Sequence, residues 1–240
     1  MIILRSAVFN AVFFVATFLF TLASAVTRLF SPDHVLVVVN AWARFLMLAA
    51  RLICGIRLEV TGRENIAPGA ALIASRHQSA FDTFVWLTLL PRASYVLKQE
   101  LLRIPVFGGL LVSAGMIPID REAGGGAIRA LMRQADQAVR TERQIVIFPE
   151  GTRSEPGQPR ALQLGFVALA NRTGLPVIPA ATDSGLCWGR RAFRKRPGII
   201  RIVIGQPIPA TTDRHELLRR VEAGISALDQ PMASESPQPE

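Results

Sequence analysis

Cysteine is rare in this chain: among 240 residues only Cys54 and Cys187 are cysteines. Two distant cysteines argue against a disulfide framework and against a cysteine-based metal site, and they fit a reducing compartment. The sequence also has no Walker loop, no Rossmann glycine fingerprint and no HExxH helix. Nucleotide hydrolysis, hydride transfer and zinc chemistry therefore have no support in its motifs.

Acidic residues are also in short supply. The 18 acids are outnumbered by 27 lysines and arginines, which gives a formal net charge of +9. Such a balance favours an anionic partner, which is nucleic acid, a phosphorylated substrate or an acidic lipid surface. Nucleic acid is the weakest of the three, because no known binding module is present and few aromatic side chains accompany the basic ones.

Charge is absent from one long stretch near the start. No charged residue occurs between Arg5 and Arg28, and a helix over residues 6–27 rises about 1.5 Å per residue, enough to cross a bilayer. Residues 23–25, Ala-Ser-Ala, resemble a signal-peptidase site, so a cleaved secretory signal is the alternative. The single basic residue before the apolar run, and the second apolar run that follows at once, favour a retained anchor.

The second apolar stretch, residues 34–56, contains Arg44 and Arg51 seven positions apart. On a helix both lie on one face. The opposite face carries Val35, Val39, Leu46 and Ile53. This pattern predicts an amphipathic helix at the membrane interface, with a core helix packed on the domain as the alternative. Residues 1–56 are thus predicted to be N-terminal membrane-anchoring helices.

After Gly55 the pattern changes to short β-type runs that alternate with helical periodicity. Strands are predicted near 57–61, 70–75, 93–97, 116–119, 144–148, 176–180 and 199–204. Helices are predicted near 80–90, 126–141, 161–173 and 213–228. This alternation predicts an α/β domain over residues 57–229, with a mixed, mainly parallel central sheet flanked by helices. The tail, 230–240, is rich in Pro, Ser and Glu and is predicted to be disordered.

A cluster of polar residues follows the second predicted strand in "SRHQSAFD", residues 75–82. On one continuous helix His77 and Asp82 would point about 140° apart, so they meet only if His77 lies in the turn and Asp82 in the first helical turn. Ser79-x-x-Asp82 also has the form of a helix-capping box. A cap explains Ser79 and Asp82, but it leaves His77 and Arg76 without a reason.

Polar groups follow three further predicted strands. Lys98 and Glu100 come after one, Asp120 and Arg121 after the next, and the loop 150–154, Glu-Gly-Thr-Arg-Ser, after another. Ligand crevices of open α/β sheets lie at such strand ends. His77 is then the natural general base and Asp82 the group that orients it.

A protein nucleophile is missing, because no serine lies in a G-x-S-x-G motif. The hydroxyl that His77 activates is therefore expected to belong to the substrate. Lys98, Arg121 and Arg153, with the backbone amides around residues 151–152, form a receptor suited to a phosphate.

At these residues the sequence resembles the 1-acyl-sn-glycerol-3-phosphate acyltransferases of the glycerolipid acyltransferase superfamily. The matching blocks are His77 to Asp82 for H-x4-D, Lys98 to Gly108 for K-x-E-L…P-x-x-G, Ile119-Asp120-Arg121, Phe148 to Ser154 and Leu175 to Pro179. The seven-residue block Phe148 to Ser154 is the most specific. One departure is Arg76, where many members carry asparagine.

The resemblance implies transfer of an acyl chain from acyl-CoA or acyl carrier protein to the sn-2 hydroxyl of 1-acyl-sn-glycerol 3-phosphate. His77 and Asp82 would be catalytic. The acceptor-binding set would be Lys98, Arg121, Glu150, Gly151, Thr152 and Arg153. Within it, Lys98, Arg121 and Arg153 would hold the phosphate and Glu150 would orient the loop. No metal and no cofactor besides the acyl co-substrate is expected. The expected location is the inner membrane, with the site on the cytoplasmic side.

Two alternatives remain at this level. The first is the same chemistry on another lysolipid, such as lyso-ornithine lipid. The second is a non-catalytic membrane protein that binds anionic lipid. A separate prediction concerns residues 189–198, "GRRAFRKRPG", whose five bases and neighbouring aromatic residues are expected to dock on acidic lipid.

Overall fold

A computed structural model describes residues 1–119 and 124–235. Its strands are β1 Ile56–Thr61, β2 Ala71–Ser75, β3 Ala93–Lys98, β4 Ile117–Ile119, β5 Gln144–Ile147, β6 Val177–Thr182 and β7 Gly198–Ile204. Its α-helices are α1 Ile2–Phe30, α2 Val35–Ala49, α3 Asp82–Leu89, α4 Phe107–Ser113, α5 Gly124–Arg140, α6 Gly165–Thr173, α7 Ser184–Cys187 and α8 Arg214–Glu235. Every predicted strand is present. The predicted helices correspond to α3, α5, α6 and α8.

The seven strands form one sheet in the order β1-β7-β6-β2-β5-β3-β4. Neighbouring strands are parallel from β6 to β4, whereas β7 runs antiparallel to β6. The predicted mixed, mainly parallel sheet is therefore confirmed. Because β2, β5, β3 and β4 are parallel neighbours, the segments that follow them emerge at one edge of the sheet.

The sheet has a hydrophobic core on each face. The alternating side chains of β2 supply both: Ile73 packs under α1, α2 and α3, while Leu72 and Ala74 pack under α5, α6 and α8. A strand that is buried on both faces reads as a continuous apolar run, as this one does. The catalytic turn predicted after β2 thus leaves from the centre of the fold.

The N-terminal helices are long and apolar enough to cross a membrane, with mean hydropathies of 2.0 for Ile2–Phe30 and 1.7 for Pro32–Cys54. Val35 and Leu46 of α2 are buried in the core shared with α1 and α3, while Arg44 and Arg51 are exposed. The predicted faces of this helix are therefore the observed ones, and its apolar face packs on the domain.

The C-terminal helix α8 continues to Glu235, so residues 230–235 are helical where the composition predicted disorder. The helix packs on the sheet through Leu217, Val221 and Ile225. Once a packed segment has nucleated a helix, each further turn forms at little cost. Residues 236–240 lie outside the described part of the chain.

Candidate active site

The turn between β2 and α3 brings the predicted base and its partner together. His77 lies in the turn and Asp82 is the first residue of α3, with Nδ1 of His77 3.0 Å from Oδ2 of Asp82. The same oxygen accepts the backbone N–H groups of Gln78, at 2.7 Å, and Ser79, at 2.8 Å. Since an ionised carboxylate only accepts, Nδ1 carries the proton and Nε2 is the basic nitrogen.

The helix-capping interpretation of this turn holds in part. The backbone N–H of Ser79 does donate to Asp82, as in a capping box, but the Ser79 hydroxyl accepts from Phe81 N at 3.1 Å. A complete box would instead pair that hydroxyl with the N–H three residues along. Asp82 therefore holds the turn and the imidazole with one carboxylate.

Aromatic packing fixes the plane of the imidazole. The ring of Phe148 stacks on that of His77 with centroids 4.1 Å apart and planes 16° apart. On the helix side, Tyr95 donates its hydroxyl to the backbone oxygen of Asp82 at 3.1 Å and accepts from the N–H of Trp86. These contacts leave the imidazole one orientation, with Asp82 at its Nδ1.

Glu150 lies behind the turn and is 4% exposed. Its carboxylate accepts from His77 N at 3.2 Å, from a guanidinium N–H of Arg76 at 3.0 Å, and from the Ser154 hydroxyl and Arg160 N, each at 3.2 Å. Four donors surround it, and it does not line the cavity described below. Its position is that of a support for the turn that carries His77; the sequence analysis had placed it in the acceptor-binding set as the residue that orients its loop.

Arg76 connects this support to the last helix. It is 4% exposed, and its second terminal nitrogen donates to Asp229 of α8. Burial raises the pKa of Asp229, and the hydrogen bond and charge of Arg76 oppose that rise. An arginine before His77 therefore has a role here: it links the turn, the loop after β5 and α8.

A cavity of about 540 Å³ opens beside His77, within the usual range for ligand pockets. Lys98 and Arg153 line it, together with Gly151 and Thr152. Asp82 is absent from the lining and lies behind the imidazole. Gly151 has a φ of +72°, and its N–H donates to Phe148 O at 3.0 Å. The N–H of Gly151 therefore already has an acceptor within the turn, whereas the sequence analysis predicted that it would donate to a phosphate. Arg121 lies outside the described residues.

Most of the remaining cavity wall is apolar and comes from the first two helices and from the segment around α4. These residues include Phe20, Val39, Trp42, Leu101, Phe107, Leu110 and Leu111. The α1 contribution also includes three residues with hydroxyl groups, Thr17, Thr21 and Ser24. The N-terminal helices therefore form part of the cavity itself.

Two cationic residues of the described cavity lining were not among the predicted site residues: Arg190 and Arg191. Burial lowers the pKa of Arg153, the charge of Asp82 raises it, and the charges of Arg190 and Arg191 lower it further. The positive charges of Arg190 and Arg191 therefore act electrostatically on the guanidinium group of Arg153. In the sequence, these two arginines are visible only as part of the basic run 189–198, which was predicted to dock on acidic lipid.

In this arrangement, Nε2 of His77 can take a proton from a hydroxyl group. Cationic side chains lie in the same cavity. Among residues 1–119 and 124–235, no three His, Cys, Asp or Glu side chains cluster as metal ligands. The base and cations share the cavity with apolar walls, which suits an amphiphile that carries an anionic group.

Comparisons with known proteins agree with the motifs. The chain is 39% identical over 193 residues to the 1-acyl-sn-glycerol-3-phosphate acyltransferase of Pseudomonas aeruginosa, a match that covers 79% of this chain and 75% of that protein. It is 32% identical over 160 residues to the enzyme of the same name from Cocos nucifera, covering 66% of this chain and 52% of that protein.

The fold has a solved counterpart. The crystal structure of the 1-acyl-sn-glycerophosphate (LPA) acyltransferase PlsC from Thermotoga maritima aligns with a TM-score of 0.79 at 20% identity, covering 99% of this chain and 100% of that one. The sequence model described as Acyltransferase matches residues 57–183. The resemblance found in the motifs is confirmed, and this chain belongs to the Acyltransferase family.

Proposed function

We propose that this protein is a 1-acylglycerol-3-phosphate O-acyltransferase, which moves an acyl chain from a thioester to the sn-2 hydroxyl of 1-acyl-sn-glycerol 3-phosphate. The product is phosphatidic acid, an intermediate of phospholipid biosynthesis. The observation that carries the proposal is the His77–Asp82 pair beside a cavity that combines cationic groups with apolar walls. The names of the relatives in Pseudomonas aeruginosa and Cocos nucifera support the same reaction.

The proposed chemistry needs no protein nucleophile. Nε2 of His77 takes the proton of the sn-2 hydroxyl while that oxygen attacks the thioester carbonyl carbon. The tetrahedral intermediate collapses, the C–S bond breaks, and the imidazolium returns its proton to the leaving thiolate. The products are phosphatidic acid and the free thiol of coenzyme A or acyl carrier protein. Asp82 stabilises the imidazolium that forms between these steps.

The cations give the acceptor its position. Lys98 and Arg153 hold the phosphate of the acceptor, and Arg121, which lies outside the described residues, is proposed to join them. Thr152 lines the same part of the site. Binding energy from this remote group fixes the reacting hydroxyl near the base, so it contributes to kcat as well as to KM.

The two N-terminal helices are proposed to hold the enzyme in the cytoplasmic leaflet of the inner membrane, where acceptor and product reside. Their exposed surface is apolar: Phe14 and Phe18 are each 69% exposed and Leu52 is 72% exposed. Phe9 on the other side of α1 is fully buried and packs edge-on against Trp188 with centroids 5.3 Å apart. This packing supports a retained helix rather than a cleaved signal.

The test is an acceptor panel. Purified protein receives acyl-CoA or acyl carrier protein as donor and one of three acceptors: lysophosphatidic acid, lyso-ornithine lipid or a lysophospholipid with a zwitterionic headgroup. Product mass spectrometry and thiol release are then followed together. Phosphatidic acid should be the main product. Preferred acylation of lyso-ornithine lipid would show that the proposed acceptor is wrong. Absence of thiol release with every acceptor would favour the non-catalytic lipid-binding alternative.

A further inference from the structure

The basic segment 189–198 divides into three parts in the folded protein. Arg190 and Arg191 line the cavity beside His77, Lys195 is 3% exposed, and Arg194 and Arg196 are exposed without lining the cavity. The five bases therefore do not form one lipid-facing patch. Only Arg190 and Arg191 face the site of the reaction.

The loop that carries these arginines is held in place at its base. The backbone N–H of Lys195 donates to the hydroxyl of Ser6 in α1 at 2.9 Å, and the Lys195 ammonium lies 4.9 Å from the ring centroid of Trp188. The N–H of Arg196 donates to Cys187 O at 2.8 Å. The segment therefore has a defined position relative to α1 and to the sheet.

Cations are the charged residues of the described cavity wall. Its described lining contains Lys98, Arg153, Arg190 and Arg191, and no aspartate or glutamate. Like charges gathered in a partly buried site repel one another, and a bound anion offsets that repulsion. The loop after α7 approaches from the β6 side of β2 and Lys98 from the β3 side, so an anion held there is approached from two directions.

We infer that Arg190 and Arg191 form, with Arg153, a binding subsite for the phosphomonoester dianion of the acceptor. This inference rests on the proposed function. In the acceptor, phosphorus is only about four bonds from the reacting oxygen, roughly the reach of one side chain. Arg153 also lies within the field of Asp82, the partner of the base.

The donor is a weaker occupant of this subsite. The phosphates of coenzyme A are separated from the thioester by the long pantetheine arm, so they fall far from the base when the carbonyl carbon is in place. A phosphomonoester carries about −1.5 to −2 charges at pH 7, and guanidinium groups bind such oxygens with paired hydrogen bonds. The subsite therefore selects an acceptor with a phosphomonoester over one with an amino-acid headgroup.

The experiment compares two double variants in neutral detergent micelles, where bilayer charge plays no part. Arg190→Gln/Arg191→Gln removes the subsite, and Arg194→Gln/Arg196→Gln is the control with the same charge change in the same loop. We expect kcat/KM for lysophosphatidic acid to fall by about tenfold to a hundredfold in the first variant. The KM for acyl-CoA should stay within about twofold, and the control should match the wild-type protein.

A second readout uses sn-glycerol 3-phosphate as a soluble probe. It should inhibit the wild-type protein competitively against lysophosphatidic acid, and the inhibition constant should rise by a similar factor in Arg190→Gln/Arg191→Gln. Arg190→Lys/Arg191→Lys should recover part of the loss. Thermal unfolding of each variant separates a local effect from a failure to fold.

The outcomes separate this inference from the proposed function. A wild-type protein that does not acylate lysophosphatidic acid overturns the function. An active wild-type protein whose acceptor KM, kcat and probe inhibition are unchanged in Arg190→Gln/Arg191→Gln overturns the inference alone. A rise confined to the KM for acyl-CoA would place the donor at these arginines, and equal losses in the control would assign the whole loop to another role; both results also overturn the inference.

Discussion

Replacement of Glu150 by glutamine tests the division between residues that support the catalytic turn and residues that bind substrate. The change keeps the size of the side chain, but it removes a charge and turns one acceptor oxygen into a donor. All four polar groups around Glu150 donate to it in the native protein. Glutamine therefore leaves at least one of them without an acceptor.

The magnitude follows from the burial of the Arg76–Glu150 ion pair, whose side chains are 5% and 1% exposed. Breaking a buried pair from one side costs about 3–5 kcal/mol, and the lower figure applies because Arg76 keeps Asp229 as a partner. A loss of about 3 kcal/mol lowers the midpoint of thermal unfolding by about 6–12 °C in a chain of this size.

The kinetic effect has a different signature from the loss of a binding residue. Glu150 holds the backbone N–H of His77, and a shift of the base by about 1 Å costs on the order of 100-fold in rate. Well below the unfolding midpoint, Glu150→Gln should therefore lower kcat by about tenfold to a hundredfold. The KM for the acceptor should change by less than about twofold, because this side chain does not line the cavity.

The assay is thermal unfolding in detergent combined with initial rates over a range of lysophosphatidic acid concentrations. Glu155→Gln is the matched control, since Glu155 lies in the same loop and is exposed. An unchanged unfolding midpoint and an unchanged kcat, with a tenfold higher acceptor KM, would refute the reasoning. Glu150 would then contact the substrate directly instead of supporting the turn.

Two further predictions concern the cavity wall and the thiol chemistry. A Cβ on Gly108 of α4 would lie 2.0 Å from the backbone oxygen of Leu102, whereas a Cβ on Gly109 would meet only the flexible end of Arg28. Gly108→Ala should therefore lower both the unfolding midpoint and kcat/KM, while Gly109→Ala should leave the rate unchanged and gain up to about 1 kcal/mol in helix propensity; equal stability of the two variants would contradict the close packing. Burial raises the pKa of Cys187 to about 11, so at pH 8 only about one thiol in a thousand is a thiolate, against roughly a quarter for an ordinary cysteine. Iodoacetamide labelling followed by mass spectrometry should modify Cys187 more than about 100-fold faster after denaturation, and should accelerate about tenfold per pH unit between pH 8 and 10 in the folded protein; labelling at the rate of a free thiol would contradict this burial.

Local patterns in the sequence were sufficient to predict the strands and the contact between His77 and Asp82. Each strand is a short β-type run: β1 alternates apolar and polar residues, and β2 and β5 are almost entirely apolar. His77 and Asp82 are only five positions apart in the sequence. Helix α4 was not predicted, because its sequence begins Phe-Gly-Gly and two adjacent glycines disfavour a helix. It forms because it packs closely on the backbone at Leu102, and only the folded chain shows that contact.

The features that could not be predicted from the sequence depend on contacts between residues far apart in the chain. Arg76 and Asp229 are 153 positions apart, so no local pattern indicates that they form an ion pair. Arg190 and Arg191 reach the cavity because β6 lies beside β2 in the sheet. A basic run of five residues looks like a solvated or lipid-facing segment until the strand order is known.

The proposed mechanism requires His77 to act as the general base on the acceptor hydroxyl. The measurement that tests it most directly is the rate of phosphatidic acid formation by His77→Ala and wild-type protein at saturating acyl donor and lysophosphatidic acid, with thermal unfolding as the check on folding. General-base catalysis contributes about 10²- to 10⁴-fold, so the account predicts a loss of at least that order in a variant that remains folded. Near-normal turnover by folded His77→Ala would contradict it.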